Sequence, residues 1–456
     1  MSANREDLPD EDEIARKRKP PRETRTRRRR FVPRAATDDA GTDVANAAAF
    51  ADHHGDALRY VADMQKWKMW DGKRWGEAVE GDLHRAAKET AGSFLINAAR
   101  IEGDKEKRAE IGAALSLMSL SRIRAMITMA QSEPTLELRS EQLDADPFAL
   151  NVANGTVNLK SGALNPHERK DYITRLVNVE YNIGAHCPRW EQFMREVFAE
   201  DEELIRFVRR AVGYSLTGDT REHALFLLWG GGCNGKSVFI EILRALLNEY
   251  GQGTPANTFI GRDRGAPTND LAALKGARIV TVQETDDGAK FSEALVKSLT
   301  GGDAITARFL NKEFFTFVPQ FKPWLATNHK PTVKGTDDGF WRRVRLIPFN
   351  VSFLGREDKQ LLAALRDELS GILTWAVKGC VEWVDNGLGT AKAVNLATST
   401  YREENDAVAQ FVKDRLIEHS DADISSRRVY ALYTTWAEEN GEKPVKQRLL
   451  IQSLLG

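Results

Sequence analysis

Cysteine is scarce: Cys187, Cys233 and Cys380 are the only three in 456 residues. They lie too far apart for a C-x-x-C pair, so neither a zinc site nor a disulfide framework can be assembled from them; they read as reduced, mostly structural thiols. No apolar run approaches the roughly 20 residues that a bilayer-spanning helix needs. The first fifteen residues are acidic and lead into no apolar stretch, so no secretory signal peptide reads there. These absences predict a protein of the cell interior, cytoplasmic, with no membrane partner. No internal repeat is visible. Apolar residues at 42% and charged ones at 29% exclude a wholly disordered chain, and the length is too great for a single hydrophobic core, which predicts several domains.

A formal net charge of −1 conceals an uneven distribution. Residues 1–44 open with Glu6, Asp7 and Asp10 to Glu13, then place eleven arginines and lysines between Arg16 and Arg34 against Glu23 alone. With no apolar periodicity, this segment reads as a disordered charged arm. It is suited to neutralising DNA phosphates, to serving as a nuclear import signal, or to being a solvated tail. Residues 45–189 read as a mixed α/β N-terminal domain. A strand and turn carry Trp67, Trp70, Asp71, Gly72 and Trp75, an amphipathic helical pattern runs from Ile111 to Met129, and Asn154-Gly155 predicts a hairpin turn because both positions tolerate positive φ. The aromatics read as core. Residues 190–223 form an expected helical linker or oligomerisation segment. Residues 353–456, with helical patterns over Leu361 to Val384, Val408 to Ile417 and Val429 to Glu439, read as a helical or winged-helix module.

The chemistry lies in residues 224–352. Ala224 to Trp229 is a continuous apolar run suited to a buried parallel strand. It ends at Gly230, Gly231, Gly232, Cys233, Asn234, Gly235, Lys236 and Ser237, which satisfy G-x-x-x-x-G-K-[ST], and an amphipathic helix from Val238 to Leu247 follows. In that context the glycines let backbone N–H groups turn inward around phosphates, and the helix N-terminus adds its positive dipole end. Lys236 reaches the β and γ phosphates, and Ser237 ligates Mg²⁺. ATP and Mg²⁺ are therefore the expected cofactors.

A second apolar strand, Ala277 to Val282, delivers Glu284 where such a site needs a carboxylate to hold Mg²⁺ through water and polarise the attacking water. Asp286 and Asp287 lie just beyond and could share the role, although past the strand end they read rather as turn acids. A third strand, Phe321 to Ala326, delivers Asn328, whose amide can orient water against the γ phosphate. Arg342 and Arg343 follow. A guanidinium offered by a neighbouring subunit would stabilise charge on the transferring phosphate.

In this order the motifs resemble superfamily 3 helicases, in the phage and plasmid primase-helicase branch related to the poxvirus primase-helicase. The resemblance rests on Tyr214 to Gly218, Gly232 to Ser237, Leu299 to Asp303 with Thr306 to Arg308, Ala326 to Pro331, and Trp341 to Phe349. Looser likeness runs through Trp70 to Gly72, Asn154-Gly155, Asp171 to Thr174 and Cys187 to Trp190, so that it covers about residues 56–440. It implies an α/β fold with an AAA+ type P-loop ATPase core, a homohexameric ring with ATP between subunits, and single-stranded DNA threaded 3′ to 5′ through the centre. On this likeness Lys236 and Ser237 are the Walker A residues, Glu284 the Walker B acid, Asn328 the sensor, and Arg342, ahead of Arg343, the finger acting in trans. Ala307 to Phe315 resembles a pore hairpin, so that Lys312 and Arg308 would grip DNA.

Two departures stand beside the resemblance. No acidic catalytic cluster or zinc ligand set precedes the motor, so primase activity is not expected. The chain also stops soon after Lys443 to Val445, where a winged helix would continue. The expected function is an ATP-dependent DNA helicase of a phage, plasmid or mobile element that acts on single-stranded and forked DNA in a host cell, beside a separate primase and polymerase. The alternative is an origin-binding initiation or loading ATPase that uses ATP as an assembly switch.

Overall fold

The computed structural model describes residues 42–259, 268–283, 288–333, 337–417, 419, 423–441 and 443–455. Apart from its last three residues, the charged arm lies outside them.

The N-terminal region begins with α1 (Asp43–His54), β1 (Leu58–Val61), β2 (Lys66–Trp70) and β3 (Trp75–Glu77). Helices α2 (Glu80–Ala99), α3 (Asp104–Leu117) and α4 (Leu120–Ala130) follow, then a short β4 (Glu137–Leu138). The strands form one sheet in the order β3-β2-β1-β4, and Phe50, Trp67, Ala87, Ile123 and Met126 fill the core between it and the helices. The helical pattern over Ile111 to Met129 falls on two helices, bent by 78°. The break falls at Ser119, whose extended backbone (φ −69°, ψ 147°) starts α4 anew. Periodicity runs through the break because both helices bury the same kind of face.

A separate antiparallel sheet joins β5 (Ala149–Val152), β6 (Gly155–Asn158) and β7 (Ala163–Asn165). The expected hairpin is present with its turn one residue earlier. Val152 pairs with Gly155, leaving residues 153 and 154 as the loop, and neither Asn154 nor Gly155 has positive φ. Glycine is required at 155 for closeness instead: a Cβ there would stand 2.4 Å from the Asn165 carbonyl oxygen on β7.

Helices α5 (Pro188–Val197) and α6 (Glu202–Ser215) lead into β8 (Leu225–Trp229), α7 (Lys236–Leu247), β9 (Gly251–Gly253), α8 (Asn269–Ala273) and β10 (Ile279–Gln283). Next come α9 (Glu293–Gly301), β11 (Ile305–Ala307), β12 (Phe315–Phe317), β13 (Lys322–Thr327), α10 (Asp338–Trp341) and β14 (Val344–Pro348). Five of these strands make a wholly parallel sheet in the order β14-β8-β13-β10-β9. The three inner strands, β8, β13 and β10, are buried on both faces, which is why they read as mostly apolar runs rather than alternating ones. Phe226, Leu228 and Trp324 pack on one side with Phe239 of α7 and Ile372; Leu225, Leu227 and Leu325 pack on the other with Val296 and Leu299 of α9.

The C-terminal region is helical: α11 (Leu361–Asp367), α12 (Leu369–Asn386), α13 (Lys392–Glu404), α14 (Ala407–Arg415), α15 (Ser426–Glu439) and α16 (Gln447–Leu455). Residues 353–455 contain no strand among those described, so the helical alternative holds there. The last three helices close a small core of Phe411, Tyr433, Trp436 and Leu450. Among the described residues no single helix is long and apolar enough to cross a membrane.

Candidate functional site

The parallel sheet ends three strands together. Trp229 of β8 pairs with Thr327 of β13, and Ala326 pairs with Gln283 of β10. Side chains just beyond these carboxyl ends therefore converge, and a cavity of about 990 Å³ opens there.

The loop between β8 and α7 is shaped by contacts that exclude other residues. A Cβ on Gly230 would lie 2.1 Å from the Phe349 carbonyl oxygen and 2.3 Å from Asn234 Nδ2. That amide holds the loop to β14 by donating to the same Phe349 oxygen at 3.0 Å. Gly235 takes φ +87° with the Phe193 ring beneath it, 3.1 Å from where a Cβ would sit. Cys233 is exposed, and its carbonyl accepts from the Phe353 N–H at 2.7 Å. The loop then runs into the N-terminus of α7, whose first N–H groups have no intrahelical acceptor and favour an anion.

Lys236, the first residue of α7, is 6% exposed. Its ammonium donates to the carbonyls of Gly230 (2.8 Å) and Gly231 (3.1 Å), and to Oδ1 of Asn234 and of Asn328, both at 2.9 Å. Burial lowers its pKa to about 8. Asn328, from beyond the tip of β13, thus meets Lys236 from a position 92 residues away. Ser237 is exposed at the cavity wall. Gln283 lines the same cavity; Glu284, Asp286 and Asp287 lie outside the described residues.

Arg342 and Arg343 are not brought to this cavity. β14 pairs with β8 so that Val344 faces Leu225, the first residue of β8. Both arginines therefore sit at the opposite end of the sheet, on the order of 13 Å from the loop at about 3.3 Å per strand residue. Arg343 is buried at 8% exposure, and its guanidinium donates to the Gly339 carbonyl and to Thr300 Oγ1; Arg342 is exposed.

Arg308 and Lys312 lie on the hairpin of β11 and β12, in which Ala307 pairs with Phe315. Both are exposed, as are Phe309, Leu310 and Phe314. The Arg308 guanidinium stands 4.5 Å from the Phe314 ring centroid, so the tip offers cations and aromatic rings together.

Two features escaped sequence reasoning. The first is the far wall of the cavity, where Arg189, Phe193 and Glu196 of α5 meet residues 353–361. The second is α13, which secures the chain that follows Asn328. The Tyr401 hydroxyl donates to the Pro331 carbonyl, Asn405 Oδ1 accepts from the Val333 N–H at 2.8 Å, and Glu404 pairs with Lys330 at 2.7 Å. Arg402 of the same helix pairs at 2.6 Å with Asp338, four residues before Arg342. No local motif signals these contacts.

Three sequence families match the chain in succession: "D5 N terminal like" over residues 47–199, a family of unknown function over residues 228–343, and "Poxvirus D5 protein-like" over residues 403–455. A protein of Acanthamoeba polyphaga mimivirus named "putative helicase" is 27% identical over 324 residues, 65% of this chain and 34% of its own. One of the same description from frog virus 3 (isolate Goorha) is 25% identical over 308 residues, 63% of this chain and 30% of its own. An African swine fever virus protein named "putative primase" is 21% identical over 328 residues, covering 66% and 34%. The chain thus spans about a third of the length of the curated relatives it matches. A solved structure of the apo NrS-1 C-terminal region aligns at 9% identity with a TM-score of 0.49, covering 78% of this chain and 77% of that one.

Proposed function

The chain belongs to the D5-like branch of superfamily 3 helicases, and from that premise we propose that it is an ATP-dependent DNA helicase with an AAA+ type P-loop core. The observation that carries this reading is the placement of Lys236. A buried ammonium is held between the glycine loop and the Asn328 amide, at the mouth of a cavity large enough for a nucleotide. When a triphosphate enters, Lys236 exchanges its amide contacts for phosphate oxygens, the loop N–H groups and the α7 N-terminus bind the remaining charge, and Asn328 is freed to orient the attacking water.

The same site would hold Mg²⁺ through the Ser237 hydroxyl and, through water, Glu284. Mg²⁺ at a triphosphate site keeps most of its own water and binds phosphate oxygens, so it needs only one or two protein ligands. Mg²⁺ supplies charge neutralisation on the β and γ phosphates.

The position of Arg342 supports assembly. It cannot serve its own chain's cavity from the other end of the sheet, whereas on a ring it can be offered to a neighbour's. A homohexamer with ATP between subunits is the proposed form, residues 224–352 its motor and residues 190–223 its linker. Arg308 and Lys312 would hold DNA phosphates in the central channel, translocating on single strands to open forked duplex in replication.

The test is ATP hydrolysis with and without single-stranded DNA in the wild type, Lys236→Ala and Lys312→Ala. The expected result is strong stimulation by DNA in the wild type, lost in Lys312→Ala with basal turnover kept, and no turnover in Lys236→Ala. Hydrolysis indifferent to DNA in every form would replace the motor by an ATP-gated loading protein.

A further inference from the structure

The cavity is larger than its phosphate end requires. Lys236 and Asn328 fix one end at the strand tips, where the terminal phosphate belongs. The rest of the cavity is walled by α5 and by the segment after β14, which reach from the glycine loop outward. These two stretches of chain are separated by more than 150 residues and are joined by one guanidinium. Arg189 donates from Nη1 to Glu196 Oε2 at 3.3 Å and from Nη2 to Asp358 Oδ2 at 3.5 Å. Its backbone N–H is in turn fixed by Glu368 at 3.0 Å. Arg189 and Glu196 are half-buried, and Asp358 is exposed at the rim. Leu361, half-buried, adds an apolar surface.

Resting on the reading of this cavity as a nucleotide site, we infer that Arg189, Glu196 and Asp358 form its base-reading end and select a 6-aminopurine. The chemistry follows from donors and acceptors. Carboxylates only accept hydrogen bonds, so they favour an exocyclic amino group and repel a ring carbonyl. The Arg189 guanidinium, bonded to both carboxylates, has further N–H groups for a neighbouring ring nitrogen and a flat face for stacking. Adenine presents an amino group beside a ring acceptor; hypoxanthine replaces that amino group by a carbonyl and should be rejected.

The experiment measures binding of ATP, inosine triphosphate and inorganic tripolyphosphate to the full chain by calorimetry, in the wild type and in Glu196→Gln/Asp358→Asn, which keeps size and shape while letting the amides donate. The wild type should bind ATP about tenfold or more tightly than inosine triphosphate, the scale of one misplaced polar group in a base pocket. In the double variant the two affinities should approach each other while that for tripolyphosphate is unchanged. Equal binding of ATP and inosine triphosphate by the wild type, or a preference that survives both substitutions, overturns the assignment. A wild type that binds neither ATP nor tripolyphosphate overturns the nucleotide reading itself.

Discussion

Two lysines stand at opposite ends of the same parallel sheet and are held in much the same way, yet only one of them faces a cavity. Lys236 follows the carboxyl end of β8. Lys322 opens β13 at the amino end, 1% exposed, with its ammonium on the carbonyls of Thr217, Asp219 and Gln320 and 4.6 Å from the Tyr214 ring centroid. Its backbone N–H donates to the Arg278 carbonyl. The buried guanidinium of Arg278 binds the carbonyls of Leu216 and Ala149, both at 2.7 Å. Burial lowers the pKa of both lysines, that of Lys322 well below the usual range, with Arg278 adding to the effect. A carbonyl cage and a weakened proton are therefore not in themselves signs of catalysis. Lys322 ties the end of α6 and the start of β13 together through oxygens that cannot leave. Lys236 holds two side-chain amides that can, and it holds them beside open space.

The largest expected effect separates the two directly. Lys236→Ala should reduce ATP turnover by about 10²–10³-fold, the loss seen when a preorganised charge is removed from a transition state, with the melting temperature moving by only a few degrees. Lys322→Met should do the reverse. One buried and two partly buried carbonyls lose their donor, so urea unfolding should show about 2–4 kcal/mol less stability, while turnover of the folded fraction stays within about twofold of wild type. A Lys322→Met protein that folds normally and has lost turnover would break the comparison.

Protonation sharpens it. In the free site Lys236 loses its proton near pH 8, whereas a bound triphosphate favours the charged form and raises that pKa. Binding therefore takes up a proton above about pH 8 and not below it. ATP affinity should be level between pH 6.5 and 7.5, then weaken by up to about tenfold per unit above pH 8. Lys236→Arg, charged throughout, should remove the slope even if it binds less well. An unchanged slope in that variant would place the titration elsewhere.

The smallest effect tests the support behind Asn328. Tyr401→Phe removes the hydroxyl that donates to Pro331 and should cost about 1 kcal/mol of stability. It should also lower turnover severalfold at unchanged ATP affinity, because the amide is loosened rather than lost. Equal turnover in the variant would make α13 a packing element only.

Strands were legible where burial was simple. Ala224 to Trp229, Ala277 to Val282 and Phe321 to Ala326 were expected from apolar runs and correspond to β8, β10 and β13 within two residues, since a strand covered on both faces has no polar alternation to hide it. Helix α13 was not legible: only Val394 and Tyr401 are buried in it, so its sequence carries almost no apolar stripe, although its side chains secure the chain after Asn328. The hairpin at residues 149–158 was recognised with the wrong turn, because Asn-Gly is a strong local preference that the neighbouring strand β7 overrode.

The sequence by itself determined what contiguous residues can encode: the glycine loop, the lysine and hydroxyl that open α7, the apolar strands around them, and the pairing of cations with aromatic rings between Arg308 and Phe315. These depend on backbone conformations and neighbours a few residues apart. Tertiary structure alone decided that Asn328 meets Lys236, that Arg342 lies at the far end of the sheet from its own cavity, and that Arg189 bridges Glu196 to Asp358. Each of these follows from strand order and register, which bring together segments up to 169 residues apart, and no local preference in the chain specifies that distance.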